Sequence, residues 1–151
     1  MRFTRQILIT SQIIGILFLA GQNLKAQEAA DSAETDRFTV SGILLGDDGA
    51  PLVDVGLYMV EADSDTSFGR RTINLAIASA VATARTNDKG EFLFEVDRSQ
   101  FGSEKIMFAI IFRVSKRTRG LIKDKDGRMV FEVGDEAKEI DLGERLVKRV
   151  R

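Results

Sequence analysis

The sequence predicts an all-β protein, a seven-stranded antiparallel Greek-key β-sandwich. Three observations indicate this fold class. Apolar and polar residues alternate with a period of two along most of the apolar segments. Short sequences rich in glycine and aspartate separate these segments. There is no internal repeat and no regular alternation of strands with helices, so two stacked antiparallel sheets are the arrangement that buries one face of each strand.

The first two strands are expected at residues 38–44 and 53–59, where the alternation is clear. The sequence GDDGAP at 46–51 lies between them. Aspartate and glycine tolerate a left-handed backbone, and Pro51 is suited to the start of an edge strand. We therefore expect these two segments to form a hairpin with a long loop.

Residues 61–82 allow two interpretations. Residues 61–69 are polar and are expected to form a loop. Ile73, Ala76, Ile77 and Ala80 have helical spacing, and alanine is a strong helix former. The same residues also fit the outer part of a strand that ends at Arg85 and Thr86. We expect a strand near residues 78–86, preceded by a loop or a short helical turn.

The second half of the chain has clearer signals. The sequence at 86–90 predicts a tight turn into a strand in which Phe92, Phe94 and Val96 share a buried face. Residues 105–115 are apolar on both faces, which is typical of a central strand covered on both sides. Turns at 123–127 and 134–136 bound a strand at 129–133. Ile140 and Leu142 indicate the last strand, and residues 146–147 extend it.

The N-terminus has the pattern of an export signal. Arg2 and Arg5 precede an apolar run at 7–21, and a small residue, Ala26, follows. The run is short for a membrane-spanning helix, so contact with a membrane is expected only if this segment stays uncleaved. We therefore predict a signal peptide at 1–26, a flexible acidic lead-in at 27–36, the folded domain at 37–147 and a basic tail at 148–151. The protein is expected in a periplasm or outside the cell.

The composition excludes several kinds of chemistry. The chain has no cysteine, which rules out disulfides, thiolate metal sites and a cysteine nucleophile. It has no histidine, the commonest general base and transition-metal ligand. It also has no tryptophan and a single tyrosine, Tyr58. We therefore expect no catalytic residues, no cofactor and no metal.

Two groups of residues resemble a known family. Val40-x-Gly42, Asp47-Asp48-Gly49-x-Pro51-Leu52 and Val55-x-Leu57 are similar to the opening segments of carboxypeptidase regulatory-like domains. Ala84-x-Thr86-Asn87-x-x-Gly90-x-Phe92-x-Phe94 resembles their second signature, and Asp141-Leu142-Gly143 resembles their closing strand. The resemblance implies a prealbumin-like, transthyretin-like sandwich that serves as an accessory or interaction module of exported proteins.

Enzymes of related sandwich folds do not match the residue inventory. Transthyretin-like ureide hydrolases use histidines and a C-terminal Tyr-Arg-Gly-Ser, whereas this chain has no histidine and ends in Lys-Arg-Val-Arg. Intradiol dioxygenases hold iron with two tyrosines and two histidines. Adhesin sandwiches form isopeptide bonds from a lysine, but no lysine occurs between residues 27 and 88.

Three aspartate pairs are the candidates for carboxylate chemistry: Asp47/Asp48, Asp63/Asp65 and Asp124/Asp126. Each lies in a predicted turn, where aspartate favours backbone hydrogen bonds. A turn role is favoured, while a carboxylate hydrolase remains an alternative. Calcium binding at 124–127 is a second alternative, although Gly127 stands two positions too early for an EF-hand loop.

The charges are unevenly distributed along the chain. Residues 28–65 hold ten acids and one base, whereas residues 113–128 hold seven bases and two acids. Lys116, Arg117, Arg119 and Lys123 form a candidate patch for an unknown envelope protein or an anionic polysaccharide. A solvated surface with no partner is the alternative. After export the mature chain has 19 basic against 23 acidic residues, a net charge of −4, so nucleic acid is not expected.

The sequence thus predicts a secreted, noncatalytic binding or interaction module of the cell envelope. One alternative is a structural module that assembles through an edge strand. The carboxylate hydrolase is the other.

Overall fold

Two β-sheets packed face to face form the core of residues 36–147, the part of the chain that the computed structural model describes. The first sheet has the order β4 (Glu91–Asp97), β1 (Arg37–Gly46) and β8 (Glu139–Val147). The second has the order β3 (Ala82–Arg85), β2 (Gly56–Glu61), β5 (Met107–Arg113) and β6 (Arg119–Leu121), with β7 (Phe131–Glu132) also paired to β5. The prediction of an all-β protein with two stacked sheets is confirmed.

Two further elements complete the described chain. Helix α1 spans Arg70–Ala78, and a single 3-10 turn spans Arg98–Gln100. The predicted signal peptide (1–26), all of the lead-in (27–36) except its last residue, and the basic tail (148–151) lie outside the described residues.

The core contains the residues that the alternation predicts. Phe92 and Phe94 are almost fully buried, and their rings meet edge to face with centroids 6.0 Å apart. Phe38 of β1 and Phe108 of β5 approach from the two sheets, with ring centroids 6.4 Å apart. Aromatic side chains from both layers therefore close the space between the sheets.

Strand β5 is buried on both faces, as its continuous apolar sequence predicts. Phe108 and Ile110 belong to the core between the sheets. Ala109 and Ile111 point the other way and pack in a second cluster with Ile73 of helix α1. The helix therefore forms a partial third layer on the outer face of the second sheet.

The predicted hairpin between residues 38–44 and 53–59 is wrong. Strand β1 pairs with β4 and β8, whereas β2 pairs with β3 and β5 in the other sheet. The turn after β1 does fold back, because the Leu52 N–H donates to the Leu44 carbonyl oxygen at 2.9 Å. The chain then changes direction at Asp54, whose φ is 58°, and enters the second sheet. Alternation shows that each segment has one buried face but leaves its partner strand open.

The strand count and one pairing also differ from the prediction. The described residues form eight strands, and β1 runs parallel to β8. The register of this pair shifts between Ser41 and Ile43, where β8 contains one more residue than β1. Gly143 lies in that extra segment with φ 63°, a conformation that favours glycine.

Residues 61–82 contain a helix where at most a short helical turn was expected. Helix α1 has nine residues, and the strand that follows covers Ala82–Arg85 instead of 78–86. Ile73, Ala76 and Ile77 pack against the outer face of the second sheet. The helical spacing of these residues is therefore the decisive signal in this segment.

The predicted turn at 86–90 is confirmed and joins the two sheets. The hydroxyl of Thr86 is buried and accepts the Val55 N–H at 2.9 Å. The Asn87 side-chain oxygen accepts the N–H groups of Lys89 and Glu91, each at 2.9 Å. These bonds hold the chain between β3 in one sheet and β4 in the other.

Candidate functional site

The four basic residues of the predicted patch do not lie together. Lys116 and Arg117 are exposed in the turn between β5 and β6, and Arg119 is the first residue of β6. Lys123 comes after that strand ends. Four residues of extended chain span about 13 Å, which sets Lys123 apart from Arg119. Three of the four residues therefore lie in or directly beside the β5–β6 turn, and Lys123 lies beyond the far end of β6.

A row of arginines crosses the second sheet beside this turn. Strand register places Arg85 opposite Gly56, Gly56 opposite Arg113, and Arg113 opposite Arg119. Neighbouring strands lie about 4.8 Å apart, so the row extends over about 14 Å. These four residues are called the arginine row below.

The side chains of the arginine row lie on the outer face of the sheet, the face that carries helix α1. Successive side chains of a strand point to opposite faces. Phe112 belongs to the core and Ile111 packs under the helix, so Arg113 shares the outer face with Ile111. The Arg119 guanidinium donates a hydrogen bond to the side-chain oxygen of Asn74 in α1, in agreement with this orientation.

Tyr58 lies over the glycine of the row. A β-carbon on Gly56 would stand 3.4 Å from the Tyr58 hydroxyl oxygen, so the phenol occupies space that a side chain at Gly56 would reach. An open cleft of about 390 Å³ adjoins the ring and is also lined by Thr83 and Arg85. A half-buried aromatic ring is therefore part of the same surface as the arginines.

The positive charges of this surface are only partly balanced. Arg85 forms an ion pair with Asp54, and that hydrogen bond and charge raise the pKa of Arg85 above its ordinary value. None of the ion pairs found within residues 36–147 involves the other four cations of the surface: Arg113, Lys116, Arg117 and Arg119.

Sequence reasoning found part of this surface and missed the rest. Arg113 and Arg119 stand at equal distances from the centre of a turn, so a hairpin assignment for 111–121 would have paired them. Arg85 and Tyr58 carry no such signal. They join the row only because β3, β2 and β5 are neighbours, and β5 is distant from the other two in sequence.

One aspartate of each pair accepts hydrogen bonds within its own turn. Asp48 accepts the Ala50 N–H at 3.1 Å, and Asp63 accepts the Asp65 N–H at 3.1 Å. The Thr66 hydroxyl also donates to Asp63 and holds the pKa of that carboxyl below its ordinary value, the opposite of what a general acid needs.

The calcium candidate at 124–127 is a closed turn as well. One Asp124 carboxylate oxygen accepts the N–H groups of Asp126 and Arg128, each at 2.8 Å. The Arg128 guanidinium forms ion pairs with both aspartates. Both carboxylates therefore already have hydrogen-bond or ion-pair partners within the turn. Within residues 36–147, no group of three or more acidic side chains is arranged to hold a metal ion.

Two other clefts contain carboxylates. One, of about 620 Å³, is lined by Asp124 and Glu132 among others, and Glu132 is paired with Lys105 at 3.0 Å. The other, of about 460 Å³, is lined by Glu61 and Asp63, and Glu61 accepts the Gly102 N–H at 3.0 Å. These acids already have partners in the fold.

In the described part of the chain, no helix has the length and apolar character needed to cross a membrane.

Comparison with known proteins yields no family. No family model and no curated protein matches the chain. Among solved structures, a 9R-lipoxygenase from Cyanothece PCC8801 has a TM-score of 0.45 at 18% identity, over 92% of this chain and 23% of the enzyme. The 3-chlorocatechol 1,2-dioxygenase of Rhodococcus opacus 1CP has 0.42 at 14%, over 76% and 60%.

The major pilin subunit BcpA of Bacillus cereus has a TM-score of 0.35 at 11% identity, over 75% of this chain and 28% of the pilin. The chain thus spans less than two thirds of the length of each of these three proteins. Likenesses this slight support no inference about activity.

Proposed function

We propose that this chain is an exported, noncatalytic binding module of the cell envelope that holds an anionic partner on the basic surface of its second sheet. The main support for this proposal is the excess of positive charge at one end of the second sheet. Arg85, Arg113, Lys116, Arg117 and Arg119 lie at one end of the sheet, and of these only Arg85 has an ion pair within the described residues. A cationic surface on a chain of net negative charge orients an anionic partner as it approaches.

The same proposal includes the finer classification as a carboxypeptidase regulatory-like, prealbumin-like Greek-key sandwich. Its support is the strand order, since the chain changes sheets after β1, β3, β4 and β7. Strands β6 and β7 pair with successive parts of one edge of β5, so together they count as one of seven strand positions. Gly49 and Gly90, which belong to the motifs of the resemblance, both have φ 76°.

Removing two charges from the turn tests the proposed surface. We expect the double variant Lys116→Gln/Arg117→Gln to bind immobilised anionic polymers severalfold more weakly and with a smaller salt dependence. The thermal midpoint should stay nearly unchanged, because both residues are exposed and make no ion pair within the described chain. Surface plasmon resonance at several salt concentrations measures the first effect, and calorimetry the second.

A matched control removes the same number of charges elsewhere. Lys89→Gln/Lys138→Gln alters two exposed lysines that lie outside the arginine row and the adjoining turn. It should bind like the unmodified protein. An equal loss of binding in both double variants would mean that net charge, and not this surface, is responsible.

A second function, assembly through an edge strand, is favoured by β8. This strand has nine residues and pairs with β1 along one edge, and within residues 36–147 no strand occupies its other edge. An open edge can accept a strand from another chain. Glu139, Asp141 and Glu144 would repel a second copy of the same strand, so a basic partner segment fits better. Binding of an extended basic peptide in sedimentation velocity, unaffected by the Lys116/Arg117 variant, would favour this function instead.

The aspartate pairs do not support the alternative of a carboxylate hydrolase, because Asp48, Asp63 and Asp124 all accept hydrogen bonds within their turns.

A further inference from the structure

The arginine row has a geometry that is more specific than a general excess of charge. It holds three arginines on the outer face of the second sheet, in a line across the strands. The position between Arg85 and Arg113 is a glycine, with the Tyr58 hydroxyl above it. No large aliphatic side chain belongs to the row.

We propose that the arginine row is a binding site for an acidic polysaccharide, whose carboxylates pair with the guanidinium groups while a sugar ring lies beside Tyr58. This inference rests on the proposed function, because it names the ligand class and the residues of the same basic surface. It adds Arg85, Gly56 and Tyr58 to a basic region that the sequence alone placed at residues 113–128.

The chemistry of the side chains suits an anionic sugar polymer. A guanidinium presents two parallel N–H donors that match the two oxygens of a carboxylate or of a phosphate, and the neighbouring Tyr58 ring suits a sugar. Arg113 and Arg119 stand directly opposite each other, about 5 Å apart at their α-carbons. Arg85 is two strand positions away from Arg113, about 10 Å. A polymer with carboxylates at intervals can therefore engage more than one arginine at once, and each further contact adds to the affinity.

Gly56 and Tyr58 suit a flat polymer. Because Gly56 has no side chain, the Tyr58 phenol lies over the row at its second position, next to the open cleft of about 390 Å³. The phenol ring of Tyr58 offers an apolar face to the C–H side of a sugar and a hydroxyl for a hydrogen bond. A shallow surface of this kind fits one side of an extended chain.

Asp54 limits the affinity of the site. Its carboxylate is paired with Arg85 and lies where it repels a ligand carboxylate. Asp54 has a left-handed backbone, φ 58°, which asparagine also tolerates. The variant Asp54→Asn therefore removes the competing charge and keeps a residue suited to the backbone.

The main experiment measures binding of fluorescent polygalacturonate oligomers by anisotropy. We expect Arg113→Gln to weaken binding about tenfold, as the loss of a charge-assisted pair requires. Arg113→Lys should recover only part of the loss, because it restores the charge without the paired donors. Asp54→Asn should bind severalfold more tightly, a gain that a loss of folding cannot produce. Lys89→Gln serves as the control and should have no effect.

Other probes separate the carboxylate polymer from other anions. Dextran should not bind, because it has no charge. Polyphosphate and vesicles of phosphatidylglycerol should bind more weakly than polygalacturonate at equal charge, because neither has a sugar ring to lie beside Tyr58. Stronger binding to the vesicles would replace the inference with a lipid-headgroup site. Full recovery by Arg113→Lys would overturn the bidentate pairing. Equal binding of polyphosphate would overturn the sugar contact at Tyr58.

Failure of the inference differs from failure of the proposed function. If the unmodified protein binds polygalacturonate but Arg113→Gln and Asp54→Asn bind equally well, the arginine row is not the site and the turn with Lys116 and Arg117 remains. If the unmodified protein binds none of the anionic probes at low salt, the proposed function itself fails. Should Arg113→Gln not fold, Arg119→Gln tests the opposing guanidinium in the same assay.

Discussion

Gly49 and Gly90 have the same backbone conformation in different surroundings. Both have φ 76°. A β-carbon on Gly49 would meet no atom within 4 Å, whereas one on Gly90 would stand 2.6 Å from the Leu44 carbonyl oxygen. Because that oxygen belongs to the backbone of β1, it cannot move away without disturbing the strand.

This contrast predicts unequal costs for the same substitution. Gly49→Ala should lower the free energy of unfolding by about 1–2 kcal/mol, the cost of a left-handed alanine. Gly90→Ala should cost more than this, because the conformational penalty is joined by the clash with β1. Chemical denaturation of both variants measures the difference, and equal losses would show that the contact with Leu44 is relieved at little cost.

Helix α1 is the element that was predicted least well from the sequence. The difference between its buried and exposed faces explains why it forms. Ile73 is buried against Val60, Ala109 and Ile111, while Leu75 is 72% exposed. The helix has no acidic residue in its first turn and no basic residue in its last turn, so charge adds little to its stability. A helix this short depends on its packed face.

Truncation on each face of the helix tests this dependence. Ile73→Ala should destabilise the protein by about 2 kcal/mol or more, since a buried isoleucine loses its contacts with the sheet. Leu75→Ala is the matched control on the solvent side and should change stability by less than about 0.5 kcal/mol. Thermal unfolding distinguishes the two. If neither variant lost stability, helix propensity, which favours alanine, would outweigh the packed face.

For the molecule as a whole, the proposed partner of the basic surface depends on the predicted export. The prediction rests on residues 1–26, which lie outside the described part of the chain. Expression in a host with a periplasm should yield a protein that begins at or within a few residues of Gln27. N-terminal sequencing or intact mass of the periplasmic product measures this. Full-length protein retained in the membrane fraction would instead indicate an uncleaved anchor.

The fold and the surface were predictable to different degrees. The segments around Phe92, Phe94 and Leu142 were assigned as strands because alternation is a local property of the chain. The hairpin of β1 with β2 was predicted and is wrong, since neighbouring segments in sequence went to different sheets. Arg119 belonged to the predicted basic patch and lies in the arginine row, whereas Arg85 was not part of the prediction.

The sequence by itself determined which segments are extended, which of their faces are buried and where the chain turns, because alternation and turn chemistry act over a few residues. Only the tertiary structure decided which strands are neighbours. That choice depends on how two sheets and a helix bury their apolar faces together, and it relates residues far apart in the chain. The arginine row exists at that level, since register alone aligns Arg85, Arg113 and Arg119 across four strands.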